Sequence, residues 1–206
     1  MAEHCLCKAG VRGSIPLVST FLTARIRGLV GSVDTGQAWS MRVHVSLGDL
    51  AQLPADAMVR VTPPRFDTPD HTLALAGPEV LSACTELRRL VYPQGLPVSE
   101  AVSTSAGALP ARWLIHVAVP LFAVRTDREY QFTAAYRSML RVADELGAQT
   151  VALPPFGSTP PYWPLDQAIR CTFSTLLGTP TAVRDVVLVL KSVAAYEGYA
   201  EALARQ

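Results

Sequence analysis

From Met41 to the end, strand-like and helix-like patterns take turns along the chain, and this alternation limits the possible folds more than any other feature. Met41–Leu47 (MRVHVSL) alternates and is rich in β-branched residues, and Ala57–Thr62 (AMVRVT) does the same before Pro63 and Pro64 stop it. Ala101–Ser105 is a short strand candidate. Trp113–Val119 (WLIHVAV) has buried-strand length and is closed by Pro120, while Val151–Leu153 and Val186–Leu190 (VVLVL) supply two more strands. Between them, Pro69–Val91 reads mostly as helix, with a local break at Gly77-Pro78 and an i, i+3 stripe of Leu81, Cys84, Leu87 and Leu90. Glu129–Leu146 turns Phe132, Tyr136, Met139, Leu140 and Val142 inward and ends at Gly147 in the C′ position. Pro154–Pro164 is a proline-rich loop, Leu165–Leu177 is a helix ending at Gly178, and Ala195–Ala204 is the last helix. Strands alternating with helices of this length predict an α/β fold, a three-layer α/β/α sandwich around a mixed or parallel central sheet. Ligands in such sheets bind beyond the carboxyl ends of the strands, here after Leu47, Thr62, Val119, Leu153 and Leu190.

Composition narrows the class. A chain of 206 residues suits one domain, and with half its residues hydrophobic and 17% charged it is too apolar to stay disordered. Eighteen Lys and Arg against seventeen Asp and Glu leave no basic excess to argue for nucleic acid. No apolar run approaches the roughly 18 residues of a membrane span; Ile15–Val30 is interrupted by Arg25 and Arg27. Four scattered cysteines suit a reducing compartment. The expectation is a soluble cytoplasmic protein with neither membrane nor nucleic-acid partner. Residues 1–40 lack a sustained period and read as an N-terminal extension, with Met41 as an alternative start; residues 41–206 are the expected domain. His4, Cys5 and Cys7 suggest a metal, but no second ligand pair follows at a zinc-like spacing, so no metal or cofactor is expected.

Several short pieces recur in a telling order. Gly48-Asp49-Leu50 follows the first strand, Ala55-Asp56-Ala57-Met58-Val59 enters the second, and Ala76-Gly77-Pro78-Glu79-Val80 comes next. Glu100-Ala101, Leu109-Pro110-Ala111 and Ile115-His116-Val117-Ala118-Val119-Pro120 follow. In order and spacing these pieces resemble the macro domain, the ADP-ribose-binding α/β/α module, from Met41 to about Leu203. The resemblance implies a nucleotide site in which Asp49 accepts from the adenine amino group beside Leu50. It also places Gly157, Ser158, Thr159 and Tyr162 in the second phosphate loop.

The same resemblance exposes departures. Arg60-Val61-Thr62-Pro63 stands where the family's hydrolases carry Asn-Ala-Ala-Asn to hold the distal ribose, and Pro63 has no donor to offer. Pro64–Pro69 is several residues shorter than the family's glycine-rich loop and contains no glycine. Pro160 and Pro161 remove two donors from the phosphate loop, and Lys191 stands where an aromatic side chain often covers the adenine. The Gly-Gly-Gly…Gln-Glu-Glu pattern of glycohydrolases is absent.

Most of these residues have a plainer reading beside the functional one. Asp49 also suits a cap on the turn after the first strand. Arg60 and Arg65 either replace lost backbone amides at a phosphate or are solvated arginines. Tyr162 and Trp163 either stack on a ligand or pack the loop. His116, inside an apolar strand, reads as a core histidine with satisfied hydrogen bonds rather than a base. Asp56 reads as a cap or turn residue before the second strand. Glu79, Cys84 and Cys171 read as helix surface or core, and a Cys84–His116 nucleophile pair lacks a third group to position it. The expected function is therefore binding of ADP-ribose or a related nucleotide, without efficient turnover, with ADP-ribose or an ADP-ribosylated protein as partner. Two alternatives stay open: an ADP-ribosyl hydrolase or deacylase of the macro type, and a scaffold for protein partners whose nucleotide site is closed.

Overall fold

β2 (Ala55–Thr62) organises the molecule because both of its faces are buried and its residues alternate between two separate cores. The computed structural model describes residues 41–124, 127–158 and 162–206. The expected extension 1–40, with His4, Cys5 and Cys7, lies outside the described residues, as do Thr159, Pro160 and Pro161. The other strands are β1 (Arg42–Leu47), β3 (Ala101–Ser105), β4 (Ala111–Ala118), β5 (Thr150–Leu153) and β6 (Asp185–Leu190). The helices are α1 (His71–Ala76), α2 (Pro78–Leu90), α3 (Glu129–Glu145), α4 (Leu165–Gly178) and α5 (Val193–Ala204). The six strands form one mixed sheet in the order β1-β6-β5-β2-β4-β3, parallel throughout except for β3, which runs antiparallel to β4. Five carboxyl ends therefore collect along one edge.

Ala57 and Val59 of β2 join Ile115 and Val117 of β4 and Val43 and Val45 of β1 against α3, α4 and α5. Met58 points the other way, with Leu114 and Ala118, against α1 and α2. This period-two division is what a doubly covered sheet demands, and it gives three layers. Gly77 explains why α1 and α2 are separate. Its φ of 101° is open to glycine, and Pro78 opens α2 at a position where its missing N–H has no helical partner to lose. Gly147 likewise ends α3 in the left-handed region, with φ 67°. Among the described residues no helix is long and apolar enough to cross a membrane.

Three local expectations are corrected. The i, i+3 stripe of α2 is only part of its buried seam: Cys84 is fully buried together with Val80 outside the stripe, Leu81 and Leu87 are half-buried, and Leu90 is 49% exposed. Each three-residue step falls about 60° short of a turn, so over three steps the stripe drifts to the opposite side of the helix. α4 ends at Gly178 as expected but includes it, one residue beyond Leu177; Thr179 follows, its hydroxyl donating to the Thr175 carbonyl. Asp56 lies inside β2, which starts two residues earlier than expected. Its carboxylate accepts from the backbone N–H groups of Gln149 and Thr150 and from the Thr150 hydroxyl, clamping the start of β5.

Candidate functional site

The collected strand ends open into two cavities that meet at Val61 of β2 and at the loop Gly157–Ser158. The smaller, ≈ 370 Å³, is lined by Asp49, Leu50, Val59, Arg60, Ser158 and Lys191 among others. The larger, ≈ 780 Å³, lies toward β4 and α3, between Pro63, Pro64, Pro120 and Trp163.

Asp49 both caps and lines. The Gly48 N–H donates to Leu190 O at 2.9 Å, locking the end of β1 to that of β6 and setting where the chain turns away. One Asp49 carboxylate oxygen then accepts from Ala51 N–H at 3.2 Å, capping the 3₁₀ turn Leu50–Gln52. The second oxygen has no hydrogen bond among the described residues, and the side chain borders the smaller cavity. The cap fixes the orientation of an acceptor at the cavity wall, so the two readings of this residue are compatible.

Arg60 borders the smaller cavity, but its guanidinium is held inside the protein and is not solvated. Its side chain is 2% exposed, with Nε donating to Asp70 at 2.6 Å, Nη1 to Phe66 O at 2.9 Å and Nη2 to Thr68 O at 3.0 Å. Nη1 also lies 3.3 Å from His116 Nδ1. Four of its five N–H groups are thus engaged inside the protein. A buried guanidinium must be satisfied in this way, and the carbonyls that satisfy it come from the shortened loop. That loop is a tight turn in which Thr68 bonds back to Arg65 O, with Phe66 fully buried and its ring 5.9 Å from the His116 ring. Asp67 pairs with Arg88 at 2.6 Å. Arg65 is exposed and lines neither cavity.

His116 is a fully buried core histidine. Since Arg60 can only donate to Nδ1, Nε2 carries the proton and donates to the Thr104 hydroxyl at 3.0 Å. Burial drives its pKa down to about 3, and the Arg60 charge pushes the same way. Cys84 Sγ does approach His116 Nε2, at 3.5 Å, but burial raises its thiol to about 11. Neither thiolate nor imidazolium forms at neutral pH, so the pair is not an activated nucleophile.

The second loop is held from the opposite face of the sheet. Phe156 N–H donates to the Tyr136 hydroxyl at 3.0 Å, and the two rings stack at 4.0 Å. Gly157 follows with φ 79°, where a Cβ would come within 2.8 Å of the Trp163 side chain. Trp163 is packing, not an exposed stacking face: its indole donates to Pro120 O at 3.0 Å and its ring lies 4.4 Å from that of Phe132. Tyr162 is 63% exposed.

The structure thus brings Asp49, Leu50, Arg60 and Ser158 to one cavity and puts Gly157 on the wall of the other, while Thr159 lies outside the described residues. Sequence reasoning missed His71, Thr72 and Ser192, which also line the smaller cavity. They belong to the first turns of α1 and α5, whose caps Asp70 and Ser192 are legible as helix-start signals. No cluster of three or more metal-ligating side chains occurs among the described residues.

The comparisons with known proteins agree with this geometry. A Macro domain family model matches residues 73–172. A macro domain-containing protein of Streptomyces nogalater, named for the sno 5' region, is 42% identical over 127 residues, covering 62% of this chain and 70% of that protein. An O-acetyl-ADP-ribose deacetylase of Escherichia fergusonii is 36% identical over 121 residues, 55% of this chain and 66% of the enzyme. A glycine-to-valine variant of the Oceanobacillus iheyensis macrodomain, solved with ADPR, shares the fold with a TM-score of 0.76 at 23% identity, covering 85% of this chain and 98% of that one. Identity at the level of the Streptomyces protein, across most of its length, means that this chain belongs to the macro domain family.

Proposed function

We propose that the chain binds ADP-ribose or a related adenine nucleotide through the smaller cavity, and that it does not turn the nucleotide over efficiently. The observation that carries this reading is Asp49, a carboxylate oriented by its cap at the cavity wall with one oxygen left to accept from an adenine amino group. The partner is free ADP-ribose or an ADP-ribosylated protein. The setting is the cytoplasm, where the free thiols Cys84 and Cys171 stay reduced. Residues 41–206 are the binding domain. A chain begun at residue 41 is expected to fold, and an insoluble product or one without near-UV circular dichroism argues against that boundary.

The phosphate path is restricted. Pro63 and Pro64 border the larger cavity and offer no N–H. Each lost charge-assisted bond to phosphate weakens binding by about 1.5–3 kcal/mol, or one to two decades. Calorimetry with ADP-ribose should therefore give micromolar or weaker binding, and submicromolar binding overturns the argument.

The second reading, an ADP-ribosyl hydrolase or deacylase, is favoured by the identity to the Escherichia fergusonii deacetylase. Against it stand Pro63 at the ribose position and an Arg60 whose donors hold the loop instead of a ligand. Release of ADP-ribose from a modified protein, lost on Asp49→Asn, establishes the enzyme instead of the binding module.

A further inference from the structure

The larger cavity does not look like a sugar site. Val98, Val119 and Leu121 join Pro63, Pro64, Pro120 and Trp163 along its wall. Of its five polar side chains three are held elsewhere, and the other two, Tyr130 and Gln131, are exposed. The Thr62 hydroxyl donates to Pro63 O at 3.1 Å, Asp127 accepts from Glu129 N–H at 2.9 Å, and Arg128 donates to Leu121 O at 3.2 Å. A ribose placed here would bury hydroxyls against proline, valine and leucine with few partners, and unpaired hydroxyls weigh against binding.

The wall is also built rather than incidental. Ser99 sits at φ 73°, the sole non-glycine in the left-handed region among the described residues. It is held there by its N–H to Ala118 O and its hydroxyl to Gln131 O, both at 2.7 Å. These bonds tie the segment carrying Val98 to the end of β4 and the first turn of α3. On the far side, the Trp163 indole fixes the Pro120 carbonyl. The two cavities share Val61 and are flanked by the neighbouring Gly157 and Ser158, so their walls adjoin, and the proposed ligand is one long enough to occupy both.

From these observations we infer that the preferred ligand is an adenylate ester, an adenine nucleotide whose phosphate carries an apolar arm where ADP-ribose carries its second phosphate and sugar. This rests on the adenine reading of the smaller cavity. A phosphodiester bears one negative charge, which suits a passage where two prolines have removed amide donors, and a hydrocarbon arm matches the walls beyond it.

The test is calorimetry of the full chain with AMP, the hexyl ester of AMP, and ADP-ribose. The hexyl ester is expected to bind at least about tenfold more tightly than AMP, and ADP-ribose no more tightly than AMP. Leu121, 55% exposed, can be changed without opening the core. Leu121→Asn is expected to shrink the ratio of ester to AMP affinity by about threefold or more. If ADP-ribose binds more tightly than the ester, or if Leu121→Asn leaves the ratio unchanged, the inference is overturned. If AMP and its ester bind equally and both weaken on Asp49→Asn, the apolar arm fails while the adenine site stands. Absence of binding by all three ligands overturns both.

Discussion

Two buried polar networks lie on opposite faces of the sheet, and each holds one of the loops that border the cleft. On the α1/α2 face, Arg60 gathers Asp70, the Phe66 and Thr68 carbonyls and His116, fixing the turn after β2. On the other face, the Tyr136 hydroxyl meets Thr172 at 2.9 Å, Thr172 donates to Ala168 O and lies 3.4 Å from the Tyr199 hydroxyl, and Tyr136 accepts from Phe156 N–H. The first network carries a formal charge and the second is neutral. A neutral hydroxyl chain can lose a member and leave one group unsatisfied, whereas removing the guanidinium strands several acceptors at once. The two loops are therefore held with unequal tolerance, although their positions beside the cleft are similar.

The sharpest way to break this comparison is Arg60→Met, which keeps the stem volume and deletes the charge. A loss of about 3–5 kcal/mol is expected from denaturant unfolding. If the loss is no greater than that for Tyr136→Phe, the distinction between the networks disappears.

Acid should separate the networks next. His116 is held at about 3 in the folded chain against 6.5 for the free side chain, so the unfolded chain takes up the proton first. Its contribution to stability is present above pH 6.5 and declines as pH falls toward 3. By pH 4.5 the decline is on the order of 3 kcal/mol, from roughly two pH units at about 1.36 kcal/mol each. His116→Gln should flatten this limb in a stability–pH profile, and an unchanged profile would count against the assignment. Burial moves Tyr136 and Tyr199 upward instead, so the neutral network contributes nothing in that range.

Tyr136→Phe leaves Phe156 N–H and one Thr172 bond without a partner, and about 1–2 kcal/mol of stability should go with it. Asp49→Asn belongs to neither network, which makes it the control. Asparagine caps as well as aspartate, so unfolding should be unchanged while adenine-nucleotide affinity falls by roughly tenfold. A matching fall in stability would show that Asp49 acts through the fold.

The architecture was legible because it is written in local periodicity. Trp113–Val119 could hardly be anything but a buried strand, and Gly77-Pro78 announced the division of a helix. Asp49 was legible as a cap for the same reason, since its partner is two residues away. Arg60 was not, because its environment is assembled by a turn six to ten residues on and by His116, 56 residues away. A charged residue in an alternating strand reads as outward-facing unless its partners are known, and here they are mostly backbone carbonyls. The same applies to Asp56, whose clamp on Thr150 spans 94 residues, and to the approach of Cys84 to His116. The cavity walls from His71, Thr72 and Ser192 come from the meeting of helix starts that the chain order keeps far apart.

The arginine beneath the turn also constrains how such a sequence can change over generations. Placing asparagine at position 60 alone would leave two carbonyls and an imidazole nitrogen without their donor. Lengthening the turn with glycines alone would draw those carbonyls away from a buried cation. Each half of the exchange is harmful without the other, so a stepwise exchange of the arginine and short turn for asparagine and a longer turn passes through an unstable intermediate. The short turn and the arginine therefore form a pair that no single substitution can exchange.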